Sequence, residues 1–522
     1  MKKISIIIAV LATSLLLKTG CSDDFLNTAP SDAASIVTLM EDFDRAKTLI
    51  VGTNRARFRF WTFGARDIHQ FSFGERSTTL MLDFLADDFF SVGLQSYGML
   101  WAQNSQLHTS NPGNEIVWQP WFFMYRMIDN VNQVINRVEN DEIPGLTPAQ
   151  RGFLLGNGLV YRAHYHHMLV QIYAQAVHHS PNNPGVVINT GLGGEALPRS
   201  TVREVYDQII QDLNDALAAL QTEGAMDITP RDGARHNISF ASPAVVRGLL
   251  SRVYLDLHDF PRAAAYARAA RVGVPLMTQA QFRDGFFTRN DEWMWASIVP
   301  ADEANNFATF PAELTNGEFY PAAWSFDNAI SRQIVEAAHP DDARFGYNIN
   351  NDGIRMLRPH RTGWGAATGV NLRYDKYRWS RLGEAYDLVY MRGAEMLLNE
   401  AEALAMQGGQ EAAIRALLTE LLTARVNAAY AAKVNAMNNA QLLAEVKMQR
   451  RKEFWGEGFR FFDLKRRGEA LDRRGVITGS GQNRGNMRTV QVNNPQSGYW
   501  VYLIPTRELT NNPYIEQNNY PE

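Results

Sequence analysis

The chain has 522 residues and one cysteine, Cys21. A lone thiol excludes an internal disulfide framework and any Cys-rich zinc or iron–sulfur site. A surplus of one charge sign is missing too: 51 Lys and Arg stand against 55 Asp and Glu, a net charge of −4. That near-balance removes the electrostatic footprint of a general nucleic-acid binder. Past the first residues no apolar run reaches the roughly 20 residues needed to span a bilayer. What is present is a globular composition, 45% hydrophobic and 20% charged, well away from chains that stay disordered. Length alone suggests about three domains, although a helical repeat array can run through as one unit.

The N-terminus accounts for the cysteine. Lys2 and Lys3 precede an apolar run from Ile4 to Leu17, followed by Lys18-Thr19-Gly20-Cys21. A charged start, a short apolar stretch and a small residue before Cys resemble a bacterial lipoprotein signal, although Lys18 stands where an apolar residue is usual. Residues 1–20 are expected to be removed and Cys21 to carry the acyl chains that anchor an otherwise soluble protein. Ser22-Asp23-Asp24 resembles an acidic export signal that sends lipoproteins to the outer face of the outer membrane.

From about Pro120 onward the pattern is helical. Val205, Ile209, Ile210, Leu213, Leu217 and Leu220 lie on one helical face, with Asp207, Asp212 and Asp215 elsewhere. Ser242-Pro243 offers an N-cap and a first-turn proline to a helix carrying Val246, Leu249, Leu250, Val253, Tyr254 and Leu257. After a His258-Asp259-Phe260 turn, a small-residue helix runs from Pro261 and stops at Gly273. Leu250, Tyr254, Ala263, Ala270 and Pro275 follow a tetratricopeptide-like spacing, in which small residues let the second helix sit close to the first. Helix pairs are expected at about 120–177, 203–272 and 387–427, with Gly408-Gly409 dividing the last. The fold class is therefore mainly α, a tetratricopeptide-like right-handed helical scaffold with a few short strands. Thr53 to Asn114, Phe282 to Trp324, Gly346 to Trp379 and Ile477 to Tyr499 lack helical periodicity and read as long, aromatic-rich loop insertions, which are uncommon without a function.

Met448 to Gly468, MQRRKEFWGEGFRFFDLKRRG, is the most specific stretch. It resembles the C-terminal signature of the SusD/RagB nutrient-binding lipoproteins, matched at Glu457, Gly458, Arg460, Asp463, Leu464, Arg466 and Gly468, with Arg467 replacing a common tryptophan. The segments 197–213, 390–404 and 504–520 are also similar to the family, so the resemblance extends along the chain. It implies one SusD-like unit over residues 21–522, with an N-terminal part at about 21–230 and a C-terminal part at about 280–522. It further implies a non-enzymatic protein without a cofactor, which binds oligosaccharide at the cell surface and delivers it to a SusC-like TonB-dependent outer-membrane transporter. A lipid-anchored glycan hydrolase, or a repeat scaffold that binds only protein or peptide, are the alternatives.

The residues themselves sort as follows. Residues 445–474 hold ten Lys/Arg among six Asp/Glu, and Arg460 and Asp463, three apart on a helix, can pair, so this region reads as a structural ion-pair lattice. His164, His166 and His167, with His178 and His179 further on, lack a suitably placed acidic partner and an HExxH motif, and read as solvated or hydrogen-bonded rather than metal-binding. Gly191-Leu192-Gly193-Gly194 and Gly479-Ser480-Gly481 lack a preceding buried strand and a Lys-Ser/Thr ending, and read as loops. Asp87-Asp88 could be a catalytic pair or ordinary acids. Trp293 and Trp295 alternate in a strand-like segment and read as core. Sugars present apolar C–H faces and hydroxyls, so a glycan site needs flat aromatics beside amides. Tyr97 and Trp101, near Asn104 and Gln106, form one such cluster, and Tyr320 and Trp324, near Asn316 and Asn328, another.

Overall fold

The computed structural model describes residues 38–59, 74–91, 106–222, 238–283, 289–303, 328–345, 347–349, 355–357, 376, 386–473 and 490–520. Helix α1 (Phe43–Ala56) leads to α2 (Gly74–Leu85) and strand β1 (Phe89–Ser91). The scaffold follows: α3 (Glu115–Glu139), α4 (Pro148–Tyr173), α5 (Val202–Leu220), α6 (Pro243–Asp256) and α7 (Phe260–Ala270). Short strands come next: β2 (Trp293–Ser297), β3 (Asn328–Ile330), β4 (Tyr347–Ile349), β5 (Arg355–Leu357) and β6 (Leu388–Arg392). The C-terminal region holds α8 (Gly393–Gln407), α9 (Glu411–Arg425), α10 (Asn439–Phe454), α11 (Arg460–Arg467), the strands β7 (Leu471–Asp472) and β8 (Gln491–Val492), and α12 (Thr506–Asn511).

The helices pack in sequence as tetratricopeptide-like pairs: α3 on α4, α4 on α5, α6 on α7, α7 on α8, and α8 on α9 and α10. Local chemistry sets their starts. Thr147 and Thr201 close capping boxes with Gln150 and Glu204, and Ser242 caps α6 at Val245 ahead of Pro243. The expected knobs Leu250, Tyr254, Ala263 and Ala270 are buried, whereas Pro275 is exposed. Helix α4 is buried along nearly its whole length between α3 and α5, and glycine makes that approach feasible. A Cβ on Gly156 would stand 2.5 Å from the Leu220 side chain, and one on Gly158 would stand 2.8 Å from Ile135.

Trp293 and Trp295 are buried on β2, which pairs antiparallel with β6. The Thr53 to Asn114 interval departs from expectation, because it contains α2. Every residue of α2 is buried, and its polar residues fill the first half and mostly apolar ones the second, so no apolar stripe recurs along it. Among the described residues no helix is long and apolar enough to cross a membrane.

Candidate functional site

The two-stranded ladder of β1 and β3 organises the region where both aromatic clusters begin. Its register pairs Phe89 with Ile330 and Ser91 with Asn328. Because the strands are antiparallel, the chain leaving β1 after Ser91 and the chain entering β3 at Asn328 meet the ladder at the same end. Ser331 N–H donates to the Asp88 carbonyl at 2.8 Å, which continues the ladder backward. Tyr97, Trp101, Tyr320 and Trp324 lie in the segments beyond that end, outside the described residues, as does Cys21.

The signature supports the ladder from below. Helix α10 ends at Phe454, and Gly456 and Gly458 turn the chain with φ of 76° and 86°. Both angles are in the left-handed region that favours glycine. Gly458 also presses on α2: a Cβ there would stand 2.5 Å from the Thr79 Cβ, and its N–H donates to Asp83 at 2.9 Å. The turn presents Trp455, fully buried, to Phe89 of β1 with ring centroids 6.2 Å apart.

Charge fastens the same contact. Arg460 donates to Asp87 at 2.6 Å, and Arg451 to Asp88 at 2.7 Å and to Gln333, just past β3, at 3.3 Å. Asp87 and Asp88 sit just before β1, so two arginines of the signature clamp the strand that opens the first aromatic segment. Burial opposes charge on both carboxyls. At Asp87 the Arg460 guanidinium prevails and holds it below its ordinary range; at Asp88 burial prevails over Arg451 and Arg460, aided by the Asp87 charge, and holds it above. Both carboxylates are buried and paired with guanidinium groups, a structural role that does not favour the catalytic reading of the pair.

Two further networks fill the space behind this clamp. Glu453 accepts from Arg392 at 2.6 Å, Arg425 at 2.8 Å and Arg344 at 3.2 Å, and Glu292 joins Arg392 and Arg425 at 2.9 Å each. Burial raises the Glu453 pKa, and the Arg425, Arg392 and Arg344 charges outweigh it, leaving the carboxyl well below its ordinary range. Asp463 pairs with Arg450 at 2.9 Å and Arg466 at 2.7 Å, and Arg466 also reaches Glu402 at 2.7 Å. The expected Arg460–Asp463 pair does not form: spacing by three brings groups near, but Asp87 and Arg450 offer each one a buried partner with better aim. Lys465 donates to the Gln171 and Ala174 carbonyls at 2.5 Å each, closing the C-terminus of α4, and burial lowers its pKa to about 7. The signature is a lattice, as its mixed charges suggested, and it is carried on two helices rather than one.

A hollow of about 600 Å³ lies between Gln106 and the C-terminal segments, lined largely by amides and hydroxyls, among them Gln106, Asn493, Asn494, Ser497 and Asn519. Tyr499 on its wall donates to the Leu85 carbonyl at 2.7 Å, which links the hollow to the Asp87-Asp88 turn. Gln106 and Thr109 place it where the segment holding Trp101 re-enters the described chain.

Three of the histidines, His164, His166 and His167, are paired inside the scaffold, whereas His178 is exposed. His164 meets Glu75 at 3.2 Å, His167 meets Asp256 at 2.7 Å, and His166 meets the Arg162 carbonyl at 3.0 Å. The acidic partners come from other helices, which no offset along α4 could disclose. Among the described residues no group of three His, Cys, Asp or Glu could hold a metal. The Gly191 to Gly194 run is an exposed loop.

Comparison with known proteins shows what this tetratricopeptide-like scaffold is similar to. Residues 286–521 match the SusD family, and residues 85–255 match a family described as starch-binding and associating with the outer membrane. Taken together, the two matches make the chain SusD-like in both its N-terminal and its C-terminal part. A SusD-like carbohydrate-binding protein of Bacteroides vulgatus superposes with a TM-score of 0.73 at 22% identity, covering 91% of this chain and 97% of that one. A surface glycan-binding protein A of Bacteroides uniformis gives a TM-score of 0.65 at 18% identity, covering 91% and 99%. A laminarin-binding SusD-like protein gives 0.60 at 19%, covering 92% and 99%. At such identities the likeness establishes the fold. SusD-like protein P38 of Formosa agariphila is 30% identical over 156 residues, which is 28% of this chain and 28% of that protein's length.

Proposed function

We propose that the protein captures oligosaccharide at the bacterial surface and makes or breaks no bond. Its binding platforms are Trp101 and Trp324, with Tyr97 and Tyr320 beside them. The observation that carries this reading is the Ser91 to Asn328 register, which starts both aromatic segments from one end of one ladder. Covalent reach then matters: at no more than about 3.6 Å per residue, Tyr97 stays within about 22 Å of Ser91, and Trp324 within about 14 Å of Asn328. The amide-lined hollow supplies hydrogen-bonding groups for hydroxyls. The Bacteroides uniformis and laminarin-binding relatives, named for glycan binding, support the ligand class. In this reading residues 21–522 act as one unit, tethered by acyl chains on Cys21 to the outer face of the outer membrane. There the unit hands its ligand to a SusC-like TonB-dependent transporter, and tethering keeps the two at high effective concentration.

Titration of starch- and laminarin-derived oligosaccharides against Trp101→Ala and Trp324→Ala, beside their melting temperatures, tests the reading. Loss of a stacking face weakens binding by roughly one to two decades, by analogy with base stacking at about 1–3 kcal/mol, while the fold stays intact. A fall in melting temperature at both positions, with the folded fraction binding normally, would return these residues to the core.

A further inference from the structure

A second concavity lies on the scaffold itself, where α3, the 187–197 loop and α12 meet. Its volume is about 660 Å³, within the range of about 300–1,000 Å³ that small-molecule sites occupy. Phe122 and Tyr125, three residues apart on α3, line it and are each half-buried, and Trp118, whose ring lies under Arg507, stands one turn before Phe122, so a stripe of aromatic faces runs along α3 into the concavity. The stripe is ordered: Trp118 and Phe122 have ring centroids 6.2 Å apart, Trp121 and Tyr125 4.9 Å.

The opposite wall is built and held in place by amides. Asn132 donates to the Asn189 and Gly191 carbonyls at 3.1 Å each, Asn136 to the Thr190 carbonyl at 3.1 Å, and the Tyr125 hydroxyl to the Val187 carbonyl at 2.9 Å. Asn512 donates to the Leu197 carbonyl at 2.9 Å and fixes the far end of the loop to α12. A groove already ordered in this way binds without first immobilising its own wall. Asn130 and Asn511 line it, and neither side chain has a hydrogen-bond partner among the described residues.

We propose that this groove is a second oligosaccharide site, separate from the loop aromatics, that takes an uncharged sugar chain. The inference rests on the reading that the protein binds oligosaccharide. Aromatic faces of α3, with the unengaged amides of Asn130 beside them and Asn511 across from them on α12, match the apolar faces and hydroxyls of a pyranose. Charge narrows the class: Asp129, Glu195 and Glu508 line the groove against Arg126 alone. That excess of carboxylate disfavours anionic polysaccharides and phosphorylated ligands.

Maltoheptaose and laminariheptaose are the probes, titrated by calorimetry into the mature chain and into its Trp101→Ala/Trp324→Ala variant. The expected result is residual binding in that variant, weakened about tenfold or more when Ala196→Trp fills the groove or when Phe122→Ala removes a platform. Crystals soaked with the probe that binds would show sugar against Phe122 and Asn511. Complete loss of binding in the Trp101→Ala/Trp324→Ala variant, or residual binding that neither groove substitution alters, overturns the second site and leaves the loop site standing. Failure of both probes to bind the unaltered chain overturns the loop reading and the groove together.

Discussion

The helical pairs between residues 115 and 270 and the signature between residues 439 and 473 are both buried, by opposite means. In α5 the buried positions are Val202, Val205, Tyr206, Ile209, Leu213, Ala216 and Leu220, with one charge, Asp212, met by Arg162 at 2.7 Å. In α11 they are Phe461, Asp463, Leu464, Lys465 and Arg466. Apolar burial is non-directional, so it holds helices together without dictating fine geometry. A buried charge is costly unless a partner meets it with good aim, so each ion pair fixes an orientation. The region that must hold the β1 turn at a fixed place is the one built from ion pairs.

That contrast is broken or upheld first at Arg425. Arg425→Ala leaves Glu453 with two of its three guanidinium partners and Glu292 with only Arg392. Removing one member of such a network costs about 3–5 kcal/mol, because the charge left behind stays buried. Urea unfolding measures it, and a loss under about 1 kcal/mol would mean that the lattice is worth no more than surface pairs. Arg425→Met, which fills the volume without the charge, separates packing from pairing.

The two regions were unequally legible in the sequence for the same reason. Helices α5, α6 and α7 showed their apolar face and caps, and their expected spans agree with the structure to within a few residues. Helix α2 was missed because its polar residues, Glu75 to Thr79, precede its mostly apolar ones, Leu80 to Leu85, so no apolar stripe recurs along it. The signature was recognisable as a lattice, but its partners Asp87, Arg344 and Glu292 lie far away in sequence, and charge spacing along one helix led to Arg460–Asp463 instead. Phe122 and Tyr125 sat inside an expected helix and Trp118 just before its expected start, and spacing alone does not separate an outward aromatic stripe from a core stripe. Tyr97, Trp101, Tyr320 and Trp324 were chosen by residue type, since segments without a period have no face to read; the ladder register is the structural fact that joins them.

Acid separates the regions more gently. His164 and His166, on α4, are each held at about 4 against an ordinary 6.5, by burial first and foremost. The folded chain therefore binds fewer protons than the unfolded one between those values, and stability falls as pH drops from 6.5 toward 4. Glu402 is held at about 2 against 4.5: burial raises it, and Arg466, Arg467 and Arg450 together prevail. Its contribution is complete above 4.5 and disappears only as pH falls toward 2. At about 1.4 kcal/mol per pKa unit, each histidine contributes on the order of 1–3 kcal/mol. Hydrogen exchange at stepped pH should show amides of α3 and α4 losing protection before those of α10 and α11. Simultaneous loss, beginning only below 4.5, would put both halves under carboxylate control.

The smallest effect is expected where one arginine serves both kinds of environment. Arg271 reaches Glu400, whose side chain is 4% exposed, at 3.3 Å, and Glu420, whose side chain is 45% exposed, at 3.2 Å. The distances are nearly equal, so the difference in worth comes from solvent. At Glu420 water already solvates the carboxylate and screens the pair, and holding two long side chains together offsets much of the attraction, which leaves under about 1 kcal/mol. Glu400 has exchanged water for Arg268 at 2.6 Å and Arg271, so its removal strips both arginines of a partner and leaves a gap in packed structure. Glu420→Ala should leave the unfolding midpoint nearly unchanged, and Glu400→Ala should lower it distinctly. Equal shifts would mean that burial does not govern what these pairs contribute, and would remove the basis for treating the signature differently from the protein's surface.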